Sequence, residues 1–308
     1  MTNRSHQERT TPTTDTSENS QIRLGLISAV IAYTLWGAMP LYIRQVDHVS
    51  PWELVAHRVL WAIAFGAILI TARSQWADVR AAFSNKRLLK MLTLSALMIS
   101  MNWAIYIWAL MNERTLDASL GYYINPLMYV AVGVIVLGER LRPLQILAIL
   151  IATLAVIVLS IGLKALPWVS IVLAILFTVY GYIRKTVQVG AMPGLFVETV
   201  LLSPLAAGYL IWLGLSGSLF FLNYNLQTDL FLLLAGPVTV LPLLFFALST
   251  RRLQLVTIGI LQYIGPTLQL AFALHYGESF TQTHMLSFGL VWLALIIFTF
   301  DSWRASRK

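Results

Sequence analysis

Ten long apolar stretches, each closed by a short cluster of charges, follow one another along the chain. A hydrocarbon core about 30 Å thick takes about 20 helical residues to cross, so this spacing dictates a multi-pass, all-α membrane protein. The expected spans are 24–43, 59–72 (extended back through Glu53 to Arg58), 91–112, 118–138, 143–163, 165–183, 194–215, 230–250, 253–277 and 279–300. Only 11 % of the 308 residues are charged, against roughly 25 % in soluble domains. No connection is long enough to form a separate soluble domain.

Residues 1–21 hold nine Ser or Thr and no aromatic residue, so they are expected to form a disordered tail. The run from Leu24 to Ile43 is longer than the core of a secretory signal and no small-residue cleavage site follows it, so it reads as a retained span. Lys and Arg stay on the cytoplasmic side. With the N-terminus inside, 17 of them fall in inner segments and four (Arg44, Arg58, Arg114, Lys164) outside, which puts both termini in the cytoplasm. Arg184 and Lys185 count among the inner cations in this scheme. The net charge of +8 comes from clusters between apolar runs, with no basic stripe for nucleic acid. The chain has no cysteine, which excludes disulfides, thiolate chemistry, Cys-bound zinc and iron–sulfur clusters.

Tyr123-Ile124-Asn125-Pro126 returns as Tyr263-Ile264-Gly265-Pro266, 140 residues later, and Gly138-Glu139 returns as Gly277-Glu278. The copies fall at matching places in two units, 22–163 and 164–308, of five spans each. Five is odd, so the second unit enters the membrane from the opposite side. An inverted repeat of this kind builds a midplane site between two halves that exchange outward-open and inward-open shapes.

Charges inside spans mark pathways or pairs, because an unpartnered one costs at least about 2.5 kcal/mol. Arg58 and His57 lie in the second span and Glu198 in the seventh. One reading gives Arg58 a snorkelling role, His57 a neighbouring carbonyl and Glu198 a structural partner. The other makes Arg58 and Glu198 a pair that approaches the midplane from opposite faces and engages in only one conformation. Trp36, Asn102, Tyr106, Tyr123, Asn125, Gln262 and Tyr263 are the candidate cavity lining. Phenols, amides and carbonyls freed by proline suit a small amphipathic solute better than an ion. Hydrogen bonding between helices is the alternative for each of them.

Trp36-Gly37 with Pro40, Ala56-His57-Arg58 with Trp61, the run Ser119 to Leu127, Gly138-Glu139-Arg140-Leu141, Glu198-Thr199, Gly236-Pro237-Val238-Thr239 and Leu261 to Thr267 resemble the RarD-type permeases of the EamA branch of the drug/metabolite transporter superfamily. The likeness runs from about residue 22 to 300; Asp117 and Ser279 depart from it, where Glu and Pro are expected. It implies ten helices from two duplicated units, an inner-membrane location and transport of small organic molecules. A secondary transporter, in the exporting direction, is therefore the expected function. No Walker-type loop supplies ATP, and the expected partners are a small organic solute and the bilayer, with no cofactor and no metal. The oligomeric state stays open, a monomer included. A membrane-embedded enzyme is the rival class, but His6, His48, His57, His275 and His284 have no ligand spacing. A non-transporting subunit or channel is the third.

Overall fold

The computed structural model describes residues 13–112, 115–162, 168–275 and 281–305. Among these residues every regular element is helical. Nine helices there are long and apolar enough to cross a bilayer, and the fourth expected span carries a shorter apolar helix, Leu120–Ile135.

The elements are α1 (Thr13–Gly37), α2 (Met39–Ile43), α3 (Pro51–Ala72), α4 (Trp76–Ser84), α5 (Lys86–Met111), α6 (Thr115–Ile135), α7 (Pro143–Gly162), α8 (Trp168–Thr186), α9 (Ala191–Leu215), α10 (Leu226–Thr250), α11 (Leu255–Leu261), α12 (Ile264–His275) and α13 (Gln282–Ala305). Three features differ from the sequence reading. Helix α1 begins at Thr13, inside the expected tail, because extending a formed helix costs far less than starting one. Residues 1–12, and the Gly277-Glu278 copy of the repeat, lie outside the described residues. Segment 73–90 contains α4, whose Val79 and Ala82 are buried while its charged residues stay out. Its Trp76 ring meets Phe196 edge-on at 5.5 Å.

The first and ninth expected spans are each broken in two, and proline explains both breaks. Pro40 and Pro266 have no N–H for the carbonyl four residues earlier. The Trp36 carbonyl, so released, accepts instead from Gln269 Nε2 at 3.3 Å. Pro204 stays inside α9, where the Ser203 hydroxyl donates to the Val200 carbonyl at 2.8 Å and replaces the missing donor.

Helix α3 packs along α9 and α10, α5 along α8 and α9, α1 along α10 and α12, and α6 along α8 and α11. Helices α7 and α13 form a pair at the side of this bundle. Ala148, Ala152 and Ala155 put a stripe of small buried residues on α7, facing Val291, Ala294 and Phe298 of α13. In lipid, where tails are as apolar as leucine, such close backbone approach is what drives association.

Candidate functional site

A cavity of about 20 Å3 lies between α3, α5, α8, α9 and α10, room for about one water. Its polar and aromatic lining is Arg58, Trp103, Tyr180, Glu198, Thr199 and Thr239; the remainder is aliphatic.

Arg58, two turns into α3, reaches across to α10. Its Nε donates to Thr239 Oγ1 at 2.9 Å, and its guanidinium carbon lies 4.8 Å from the Trp103 ring centroid, a cation–π distance. The hydroxyls of Tyr42, Tyr106 and Tyr122 lie within electrostatic reach of the charge, and the Tyr106 and Tyr122 rings meet edge-on at 5.9 Å. Glycine at 236 permits this arrangement. A Cβ there would collide with the Trp61 carbonyl, so α3 and α10 cross closely just beside Arg58 and Thr239. Among the described residues no carboxylate approaches Arg58.

Glu198 sits in the deepest part of α9, where every residue from Ala191 to Thr199 is buried. Its Oε1 accepts from Arg184 at 3.3 Å, and both side chains are almost fully buried. Arg184 also donates to the Ala191 carbonyl at 2.7 Å, and its guanidinium fills the space a Cβ on Gly194 would need. This corrects the sequence assignment of Arg184 to a cytoplasmic loop. The last turn of α8 turns it inward, because burying Glu198 alone would strand a charge. Arg184 is the functional residue that sequence reasoning missed; its place beside Lys185 made it look like loop punctuation. Thr239 was visible only as part of a motif.

His57 does not line this cavity. It closes the end of the bundle opposite α4, with Nδ1 accepting from Trp61 Nε1 at 3.1 Å, Nε2 3.7 Å from the Glu53 carboxylate and its ring 5.0 Å from that of Phe221. Glu53 in turn accepts from the Phe220 and Phe221 amides at 2.9 and 3.2 Å. At the α4 end Glu139 does the same for the Leu255 and Val256 amides, at 2.8 and 3.0 Å. One carboxylate thus ties the first half of the chain to backbone donors of the second at each end.

The remaining sequence candidates separate into three groups. Tyr106 belongs with Arg58. Trp36 joins Tyr33, Tyr129, Phe177, Tyr180 and Phe246 in a closed aromatic cluster between α1, α6, α8 and α10. Asn102, Tyr123, Asn125, Gln262 and Tyr263 sit at helix crossings. Asn102 Nδ2 donates to the Leu173 carbonyl at 2.9 Å, Asn125 Oδ1 accepts from Thr178 at 3.1 Å, and the Tyr263 hydroxyl donates to the Tyr123 carbonyl at 3.2 Å. Gln262 is buried with Oε1 unpartnered.

The fold and its internal charged cavity define a multi-pass helical membrane protein. A solved crystal structure, 19 % identical, superposes with a TM-score of 0.66 over 91 % of this chain and 97 % of its own, which shows a shared fold. The profile of the EamA-like transporter family matches residues 23–161. Protein RarD of Streptomyces exfoliatus is 40 % identical, covering 95 % of this chain and 93 % of that protein. An uncharacterized transporter of Vibrio cholerae is 41 % identical, covering 94 % and 96 %, and Protein RarD of Escherichia coli 38 %, covering 94 % and 98 %. The chain belongs to the EamA-like transporter family and, within it, to the RarD-type permeases.

Proposed function

We propose that this protein is a secondary transporter of the inner membrane that exports small organic solutes by alternating access of two inverted five-helix units, 22–163 and 164–308. The observation that carries the reading is that Arg58 and Glu198, themselves 140 residues apart, line one cavity between the units. The packing supports the repeat. With α1, α3, α5, α6 and α7 matched to α8, α9, α10, α11 with α12, and α13, the contacts α1 to α10 and α8 to α5 correspond, as do α3 to α10 and α9 to α5. The pairs α3 with α9, α6 with α11 and α7 with α13 map onto themselves, as a two-fold axis in the membrane plane requires.

Under this reading the aromatic cluster around Trp36 and Phe246 seals the α4 side, the cytoplasmic one, and the solute sits near Arg58, Tyr106 and the duplicated Tyr-Ile-x-Pro elements. When the units rock, Glu198 leaves Arg184 and approaches Arg58. Enzymatic turnover is not part of this function; the gradient or the solute itself supplies the energy. Saturable, sided flux of a solute into vesicles holding the purified protein tests it, and non-saturating flux marks a channel instead. A single cysteine at Ser84, in a chain with none of its own, is expected to react only from the cytoplasm. Labelling from outside intact cells overturns the orientation; Ser306, the other suitable position, lies outside the described residues.

A further inference from the structure

We infer that Arg58 is the anchor for the anionic end of the transported solute, an organic oxyanion of the carboxylate type; the inference rests on the transporter reading above. Four observations carry it. First, the cavity is not electroneutral: Arg58, Glu198 and the Arg184 behind it sum to one positive charge, since Glu198 is already committed to Arg184. An uncompensated guanidinium at this depth calls for a counter-charge. Second, the protein satisfies only one edge of Arg58. Its Nε is taken by Thr239, whereas the two terminal amino groups make no hydrogen bond among the described residues, which leaves a two-pronged donor set that matches the two oxygens of a carboxylate.

Third, apart from Glu198, which is held by Arg184, the polar side chains around the guanidinium are neutral. Thr239 and the three tyrosines Tyr42, Tyr106 and Tyr122 offer hydroxyls, and a hydroxyl donates to an oxyanion as readily as it accepts from a guanidinium. Fourth, the inward-facing cations at the α4 end, away from Arg58, have protein oxygens of their own. Arg184 has Glu198 and the Ala191 carbonyl, and Lys185 has the Thr250 and Leu253 carbonyls. Arg58 is the one left with a face toward the cavity. The rings of Trp103, Tyr106 and Tyr122 around it offer an apolar wall to the rest of the molecule. The anion neutralises Arg58 while the site is open, and the approach of Glu198 in the opposite state competes for the same guanidinium and releases it.

The test compares phenylacetate with phenylacetamide, a pair alike in shape and different in charge, on the full-length protein in phosphatidylcholine nanodiscs. Trp103, stacked on Arg58, is the reporter, its fluorescence isolated by subtracting a Trp103→Phe variant. Phenylacetate is expected to give a saturable change and phenylacetamide to bind about tenfold or more weakly, the loss that follows removal of a charge-assisted hydrogen bond. Arg58→Gln is expected to abolish the preference, and Arg58→Lys to keep part of it. Equal binding of the acid and the amide by the native protein overturns the proposal whether or not the variants fold. An undiminished preference in Arg58→Gln overturns it as well. A response that appears only when phosphatidylglycerol replaces phosphatidylcholine, with none to phenylacetate, assigns Arg58 to a lipid head group and also overturns it. Flux of both probes in proteoliposomes separates the two readings: charge-selective binding without flux removes the transporter and keeps the anion site. Flux without charge selectivity does the reverse.

Discussion

Arg58 and Glu198 stand 140 residues apart in the chain and line one cavity, yet their surroundings are opposites. Glu198 is 2 % exposed and its partner Arg184 lies 14 residues away, on the adjoining helix of the same hairpin. Arg58 is only partly buried and leans on a hydroxyl 181 residues away and on an indole face. Thus, of two charges on one cavity, one is a closed ion pair and the other rests on a hydroxyl and a ring face. Under the repeat proposed above, a duplicated fold reuses a geometry while dividing stability and recognition between its copies.

That division is broken most sharply at Arg184. Arg184→Leu leaves Glu198 buried without a counter-charge and is expected to destabilise the protein by about 3–5 kcal/mol, read as a fall in melting temperature or loss of folded material. The double variant with Glu198→Leu is expected to recover most of that loss, because the stranded charge goes with it. Gly236→Leu, which pushes α10 off the Trp61 carbonyl, is expected to cost about 1–3 kcal/mol and to shift Arg58 away from Thr239. Arg58→Gln is expected to change stability by no more than about 1 kcal/mol, the scale of one hydrogen bond, while abolishing solute flux. A melting temperature as low as that of Arg184→Leu would erase the contrast. Tyr263→Phe, at a helix crossing, is expected to cost about 0.6 kcal/mol, the mean for interhelical hydrogen bonds in membranes, read as the smallest fall in melting temperature of the set.

The spans were legible because lipid admits only long apolar helices and places charge between them. Where local chemistry was subtler, the pattern fell short. Pro40 and Pro266 were visible as prolines inside apolar runs, but whether a proline breaks a helix or only bends it depends on what satisfies the freed carbonyl. Gln269 does so for Trp36 from another helix, which no local window shows. Helix α4 read as a loop because a short amphipathic helix and a charged connection have nearly the same composition. In the candidate site, Arg58 and Glu198 were conspicuous as charges in apolar runs. Arg184 was not, because a cation at the last turn of a span looks the same whether it faces water or folds back toward the next helix. The amides Asn102 and Asn125 stood out as polar, but their distant partners, the Leu173 carbonyl and Thr178, were not legible in advance.

The unequal sequence separations also bear on how the chain is made. Arg184 and Glu198 emerge from the ribosome almost together, so the α8–α9 hairpin can enter the membrane with this pair already formed. Arg58 has no such neighbour. Its oxygen partner on Thr239 is 181 residues downstream, roughly 10 to 40 s of synthesis at 5–20 residues per second. During that interval the guanidinium must stay near the head groups or in the insertion machinery. Helix α3 is therefore expected to reach its final depth in stages, first against Trp103 of α5 and last when α10 brings Thr239.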